Sequence, residues 1–315
     1  MRLELDRIRA AAAGIDPVFL NSPQYECAPL GEALDCSITL KVETLNPVRS
    51  FKGRGTETVM SSLGENAPAT VCASAGNLGQ ALAYSGAQRG IPVTVVAAET
   101  ANPGKIARIK ALGATVRLEG DDIEHARLLA GRVAKQDGAY LVEDSLDVST
   151  CEGAGTIGLE LLERNQPDTL LIALGGGALA SGVGQVAKSL APHVEVVAVQ
   201  PAGAPAMALS WRKGSIVETE TIDTIADGVA GRCPIPEVLE DLLEVIDDVV
   251  LVSEDNIKAA MRLLYRHAGL VVEPSAALGV AAVLEDRGRF AGRRVATIIC
   301  GSKIMPSDFE RWVLR

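Results

Sequence analysis

Only 3% of this 315-residue chain is aromatic, and histidine occurs three times. So few rings argue against an aromatic-rich β-sandwich. His125 and His193 fall on predicted helix or loop surfaces, and His267 ends a predicted helix, where a cation suits the dipole. No convincing Ser/His/Asp set is left. An excess of positive charge is also missing: 30 Lys and Arg face 40 Asp and Glu, for a formal net charge of −10. The basic residues form no stripe, so nucleic acid is not an expected partner. The six cysteines show neither CxxC nor another metal spacing, which suits a reducing cytosol better than a disulfide framework. No apolar run approaches the ~20 residues of a membrane helix. Glu4 and Asp6 stand where a signal peptide would have its apolar core. A cytoplasmic protein with no membrane contact is expected.

What is abundant is small and apolar. Hydrophobic residues make up 48% of the chain, with 31 glycines. Short β-branched runs alternate with Ala/Leu-rich stretches of helical character. Strands are predicted at 37–42, 70–73, 93–97, 115–118, 139–142, 169–174, 194–199 and 294–300. Helices are predicted at 76–90, 104–112, 122–136, from the Gly175 loop to about 190, at 253–267 and at 275–285. The 253–267 helix precedes the apolar run 269–273, and 201–236 is the least regular stretch. Repeated βαβ units imply parallel sheets covered on both faces. Two such series predict two α/β lobes, a small one at 60–145 and a large one at 1–59 and 146–315.

Three segments carry candidate chemistry. Lys52 sits in Ser50-Phe51-Lys52-Gly53-Arg54-Gly55. A lysine with an apolar ring before it and glycines around it suits a poorly hydrated pocket, where an ammonium gives up its proton more easily and becomes a nucleophile or base. Gly175-Gly176-Gly177-Ala178-Leu179 follows an apolar strand and opens a helix, so its uncovered amides form an anion cradle for a phosphate. A tight strand–helix turn is the plainer alternative. The run also satisfies a loose G-x-G-x-x-A dinucleotide pattern, but the next strand ends in Val199-Gln200 rather than an acid. Ser74-Ala75-Gly76-Asn77-Leu78-Gly79-Gln80 is a second loop of this kind. It offers a carboxylate seat and an Asn77 amide for a ring oxygen, or a helix cap made by Ser74 and Asn77. With no metal cluster or triad, a cofactor held by Lys52 is the economical source of chemistry.

Together these residues resemble the fold type II pyridoxal-phosphate enzymes, in particular the threonine/serine dehydratase and serine racemase family. The resemblance runs from about residue 37 to 305. It also takes in Glu152-Gly153-Ala154-Gly155-Thr156, Asp227-Gly228, Glu273-Pro274 and Cys300-Gly301-Ser302, in the family's order. It implies a two-lobed α/β fold of the tryptophan synthase β type, with parallel or mixed sheets flanked by helices, and a homodimer. It implies that Lys52 holds pyridoxal 5′-phosphate as a Schiff base and removes the substrate's α-proton. Phe51 would pack near the ring, Asn77 would meet the 3-hydroxyl, and Cys300 would face the pyridine nitrogen. The amides of Gly175, Gly176, Gly177, Ala178 and Leu179 would hold the phosphate. Ser74, Ala75, Gly76, Asn77 and Leu78 would seat the substrate carboxylate. The implied reaction is α,β-elimination on a β-hydroxy amino acid such as L-threonine or L-serine. β-Replacement, a threonine-synthase-like reaction and a nicotinamide-dependent oxidoreductase are the alternatives.

Departures from the family pattern sharpen this. Ala75 lacks the hydroxyl of the racemases, so weak racemisation is expected. The family's divalent-cation ligands match Gln200 and Ala206, so no metal is expected there. Leu78 replaces a common histidine and Lys303 a common asparagine. Arg49 and Arg232 are either surface groups or receptors for an anionic side chain. The chain stops soon after the Cys300 loop, so an appended regulatory domain is not expected.

Overall fold

The computed structural model describes residues 1–121 and 123–315. Asp122, the predicted start of one helix, lies outside them. The described part of that helix is Ile123–Asp137.

The strands among the described residues are β1 (Gln24–Glu26), β2 (Ser37–Val42), β3 (Thr70–Ala73), β4 (Val93–Ala97), β5 (Thr115–Leu118), β6 (Tyr140–Leu141), β7 (Thr169–Ala173), β8 (Glu195–Pro201), β9 (Asp248–Val252) and β10 (Arg294–Ile299). They form two sheets. One has the order β1-β2-β10-β7-β8-β9, and the other β5-β4-β3-β6. Every pairing is parallel except β1 with β2. The first sheet is therefore mixed, as expected. The chain enters it through β1 and β2, and β2 pairs in parallel with β10, so the N-terminal segment belongs to the larger sheet.

Full burial on both faces explains the composition of β7 and β10. Leu170, Leu171, Ile172, Val295, Ala296, Ile298 and Ile299 are all inaccessible or nearly so. Such strands read as continuous apolar runs rather than alternating ones. The helices that cover them cross closely. Val148–Arg164 packs between Lys52–Ser62 and Ala178–Leu190, and a Cβ on Gly153 would stand 2.5 Å from the Arg54 carbonyl oxygen. The Glu152–Thr156 part of the resemblance is thus largely a packing seam between helices.

Two departures from the expected elements have clear causes. β6 pairs only at Tyr140 and Leu141 rather than across 139–142, because it is an edge strand of the smaller sheet. The apolar run 269–273 joins neither sheet. Gly269 takes a left-handed conformation that ends the Glu254–Ala268 helix, and the chain runs on to a one-turn helix at Pro274–Ala277. Within 201–236, a short helix at Ala206–Lys213 is followed by loops, and residues 227–231 and 233–235 line the cavity described next.

Candidate active site

The carboxyl ends of β3, β6, β7 and β10 open on one cavity of about 480 Å³, a size suited to a cofactor with a small substrate. Ligands in open α/β sheets bind at that end of the strands. Phe51, Lys52, loop 74–78, residues 175–179 and Cys300 all line it. The sequence candidates, scattered over some 250 positions, are brought to one place.

Lys52 opens the Lys52–Ser62 helix and is largely buried, its side chain 15% exposed. Its ammonium donates to Asp144 Oδ2 and stands 4.6 Å from the centroid of the Phe51 ring. The ring shields one side of the ammonium from water and offers a cation–π contact. Arg54, two residues on, anchors the same turn. Its guanidinium is fully buried and donates to both oxygens of Glu43 (2.8 Å each) and of Glu160 (2.7 and 2.9 Å). Glu160 also accepts from Lys41. The conspicuous arginine of the hexapeptide is a structural anchor beside Lys52.

Residues 175–179 join β7 to the Ala178–Leu190 helix. Gly177 has φ +111°, and a Cβ there would stand 2.4 Å from Val238 Cγ1, so glycine is required. A Cβ on Gly176 would stand 3.0 Å from Ser145 Oγ and 3.7 Å from Asp144 Oδ2, which places the loop against the partner of Lys52. The Ala178 N–H donates to Ser145 Oγ at 3.0 Å, so this helix end already points an amide at an oxygen on the cavity side. Ser145 itself takes a left-handed backbone (φ +69°).

The loop after β3 does not cap its helix with side chains. The N-cap is Gly76, without a side-chain bond, and Asn77 is the first helical residue. The capping alternative for Ser74 and Asn77 is therefore not what forms. Ser74 Oγ accepts from the Gly76 N–H at 3.2 Å, and Asn77 Nδ2 donates to Glu273 Oε1 at 2.8 Å. Glu273 is buried and also accepts from Ser275 Oγ (2.8 Å) and from the Lys303 N–H (3.1 Å). Burial pushes its carboxyl up despite these bonds. Cys300 is buried beside it. Desolvation and then the Glu273 charge push its thiol well above the ordinary range, so it stays a neutral thiol.

Asp144 and Ser145 were not singled out by sequence reasoning, and Glu273 entered it only within the Glu273-Pro274 part of the resemblance, with no role of its own. Asp144 and Ser145 follow a strand end in the smaller sheet, the position where such sites form, and that was the available signal. Neither Arg49 nor Arg232 is among the described residues that line the cavity. Arg49 donates instead to the carbonyl (2.7 Å) and hydroxyl (3.3 Å) oxygens of Ser302. Gln200 Oε1 accepts from the Ala208 N–H at 2.9 Å, and Ala206 offers no ligand atom. Among the described residues, no group of three or more His, Cys, Asp or Glu could hold a metal ion.

A glycine cradle at a helix end, a shielded lysine and a neutral thiol around one cavity suit a phosphorylated carbonyl cofactor. The family model described as pyridoxal-phosphate dependent enzyme matches residues 15–301, and the chain belongs to that family. Its cofactor is pyridoxal phosphate. The L-threonine ammonia-lyase of Thermotoga maritima is 35% identical over 313 residues, 98% of this chain and 78% of that protein. Maize serine racemase superposes with a TM-score of 0.93 at 28% identity, over 99% of this chain and 97% of that one. The processed form of threonine deaminase isoform 2 from Solanum lycopersicum gives 0.89 at 29%, over 98% and 88%. The α/β architecture is that of the fold type II enzymes, and the dinucleotide alternative for the Gly175 loop falls away.

Proposed function

We propose that this protein is a pyridoxal-phosphate-dependent ammonia-lyase that eliminates the hydroxyl of a β-hydroxy amino acid as water, the enamine product then taking up one water to give a 2-oxo acid and ammonia. The observation that carries this reading is the single cavity joining Lys52, residues 175–179, Cys300 and loop 74–78. The full-length similarity to an L-threonine ammonia-lyase supports it.

When bound, the cofactor supplies an electron sink for charge developing at the substrate Cα. The amides of residues 175–179 would hold its phosphate, and Asn77 and Cys300 would meet its ring at the 3-hydroxyl and the nitrogen. The chain's own work is positioning and proton transfer. Lys52 Nζ receives the Cα proton, and Asp144 keeps that nitrogen over the cavity. The amides of loop 74–78 bind the α-carboxylate at the start of a helix, where the dipole favours an anion. Glu273 fixes the Asn77 amide and leaves its second N–H available. Cys300 presents a neutral thiol, which does not stabilise a long-lived carbanion and so favours elimination. In the same proposal, residues 60–145 form the smaller lobe carrying the carboxylate loop. The homodimer rests on the family resemblance, and the cytoplasmic location on a cysteine pattern that suits a reducing compartment.

The test is 2-oxo acid and ammonia release from L-threonine, L-serine, 3-hydroxyaspartate and phenylserine, with Lys52→Ala as control. Release from at least one of them should fall by about a thousandfold or more in the variant. A yellow protein that releases neither product from any of them would replace this reading with β-replacement.

A further inference from the structure

Lys303 lies in the turn that follows β10, three residues after Cys300. The residue lines the cavity that holds Lys52 and loop 74–78. Its Nζ is buried and finds no hydrogen-bond partner among the described residues. The nearest acid, Glu273, does not serve as that partner. The Glu273 oxygens take Asn77 Nδ2, Ser275 Oγ and the backbone N–H of Lys303 itself. The other charges around this end of the cavity are mostly cations. Arg49 belongs to the loop before the Lys52 helix, and Lys105 and Arg108 to the Pro103–Ala111 helix. Asp227, which also lines the cavity, is engaged by Lys105. Burial first, then Arg108, Arg49 and Lys105, push the Lys303 ammonium down to about 7 against the pull of Glu273.

An unpaired ammonium in a buried site is costly unless an anion completes it. The two anions already assigned have other seats: the cofactor phosphate at residues 175–179 and the α-carboxylate at loop 74–78. A third anion is the group that would satisfy Lys303.

We propose that Lys303 binds a carboxylate on the substrate side chain, so that the preferred substrate is a β-hydroxy amino acid with a second carboxylate. This rests on the lyase reading and names its substrate class. The chemistry is unchanged: Lys52 Nζ takes the Cα proton and hands a proton on to the β-hydroxyl, which departs as water. Hydrolysis of the resulting enamine consumes one water, so the substrate is recovered as a 2-oxo dicarboxylate and ammonia with no oxidant or reductant.

The experiment compares kcat/KM for 3-hydroxyaspartate and L-threonine in the wild-type holoenzyme, in Lys303→Asn and in Lys303→Met. Calorimetry adds the binding of L-aspartate and L-alanine, which lack a β-hydroxyl to eliminate. The wild type should prefer 3-hydroxyaspartate. Each variant should lower the acidic-over-neutral ratio about 10- to 100-fold, mainly through KM, as loss of a charged hydrogen bond would. L-Aspartate should bind the wild type more tightly than L-alanine, and the variants should lose that difference. A ratio unchanged in both variants, or a uniform loss on every substrate with a lowered Tm, would overturn the proposal, the latter because the lysine would then only balance Glu273. Turnover of threonine with an unchanged ratio leaves the lyase reading standing and the Lys303 inference refuted. Lys303-dependent aspartate binding without turnover of any β-hydroxy amino acid does the reverse.

Discussion

Lys52 and Asp144 are 92 positions apart and meet at the cavity. Replacing Asp144 by Ala should leave the cofactor attached but lower kcat more than it raises KM, since the nitrogen that takes the proton loses its partner. Steady-state kinetics with the visible spectrum as a control would show this. Gly177→Ala adds a Cβ at φ +111° and 2.4 Å from Val238 Cγ1. It should cost about 1–3 kcal/mol in thermal unfolding and weaken cofactor retention. For Lys303 the sign of the pH effect follows from its lowered pKa. Its ammonium is present below about 7 and lost above it. The acidic-over-neutral substrate ratio should therefore fall as pH rises through about 7, and stay flat in Lys303→Met.

At the scale of elements, the Lys52 helix is held by a buried ion network of Arg54, Glu43, Glu160 and Lys41. Burial works against the Glu160 charge, but bonds from Arg54 and Lys41 outweigh it and hold its carboxyl down at about 2. Such a group stabilises the fold above its unfolded pKa of 4.5 and loses that contribution as pH falls towards 2. The amount is roughly 3 kcal/mol. Arg54→Met leaves two buried carboxylates short of a partner and should cost about 3–5 kcal/mol in denaturant unfolding. None of this network was legible beforehand, because its members come from β2 and its end and from two helices far apart in sequence, with no common spacing. The strands were legible for the opposite reason. β2, β3, β4, β5, β7 and β10 are short, β-branched and bounded by turn residues, so each announces itself locally. β1 and β9 were missed. β1 is three residues long, and β9 starts only three positions after a helix ends, with an apolar run of just four residues, 249–252.

Across the whole molecule, the cavity lies where the two sheets face each other through their strand ends. Lys105, on a helix of the smaller sheet, pairs with Asp227, in a loop of the larger one. Asp227 is well exposed, so the pair itself should contribute little to stability. Lys105→Ala should shift Tm only slightly and show its effect in KM instead, because the pair bridges the cavity mouth. The candidate site was legible in Lys52, the Gly175 loop and Cys300, whose motifs stand in the family's order and line one cavity. Asp144 was not, and Glu273 carried no role beforehand, because an acid becomes a site residue only through the fold that turns it inward.

The most direct test of the account is borohydride reduction of the yellow protein followed by peptide mapping. The pyridoxyl mass should appear on the peptide containing Lys52 and vanish in Lys52→Ala. A colourless protein, or a label carried by Lys303 or any other lysine, would contradict the central assignment.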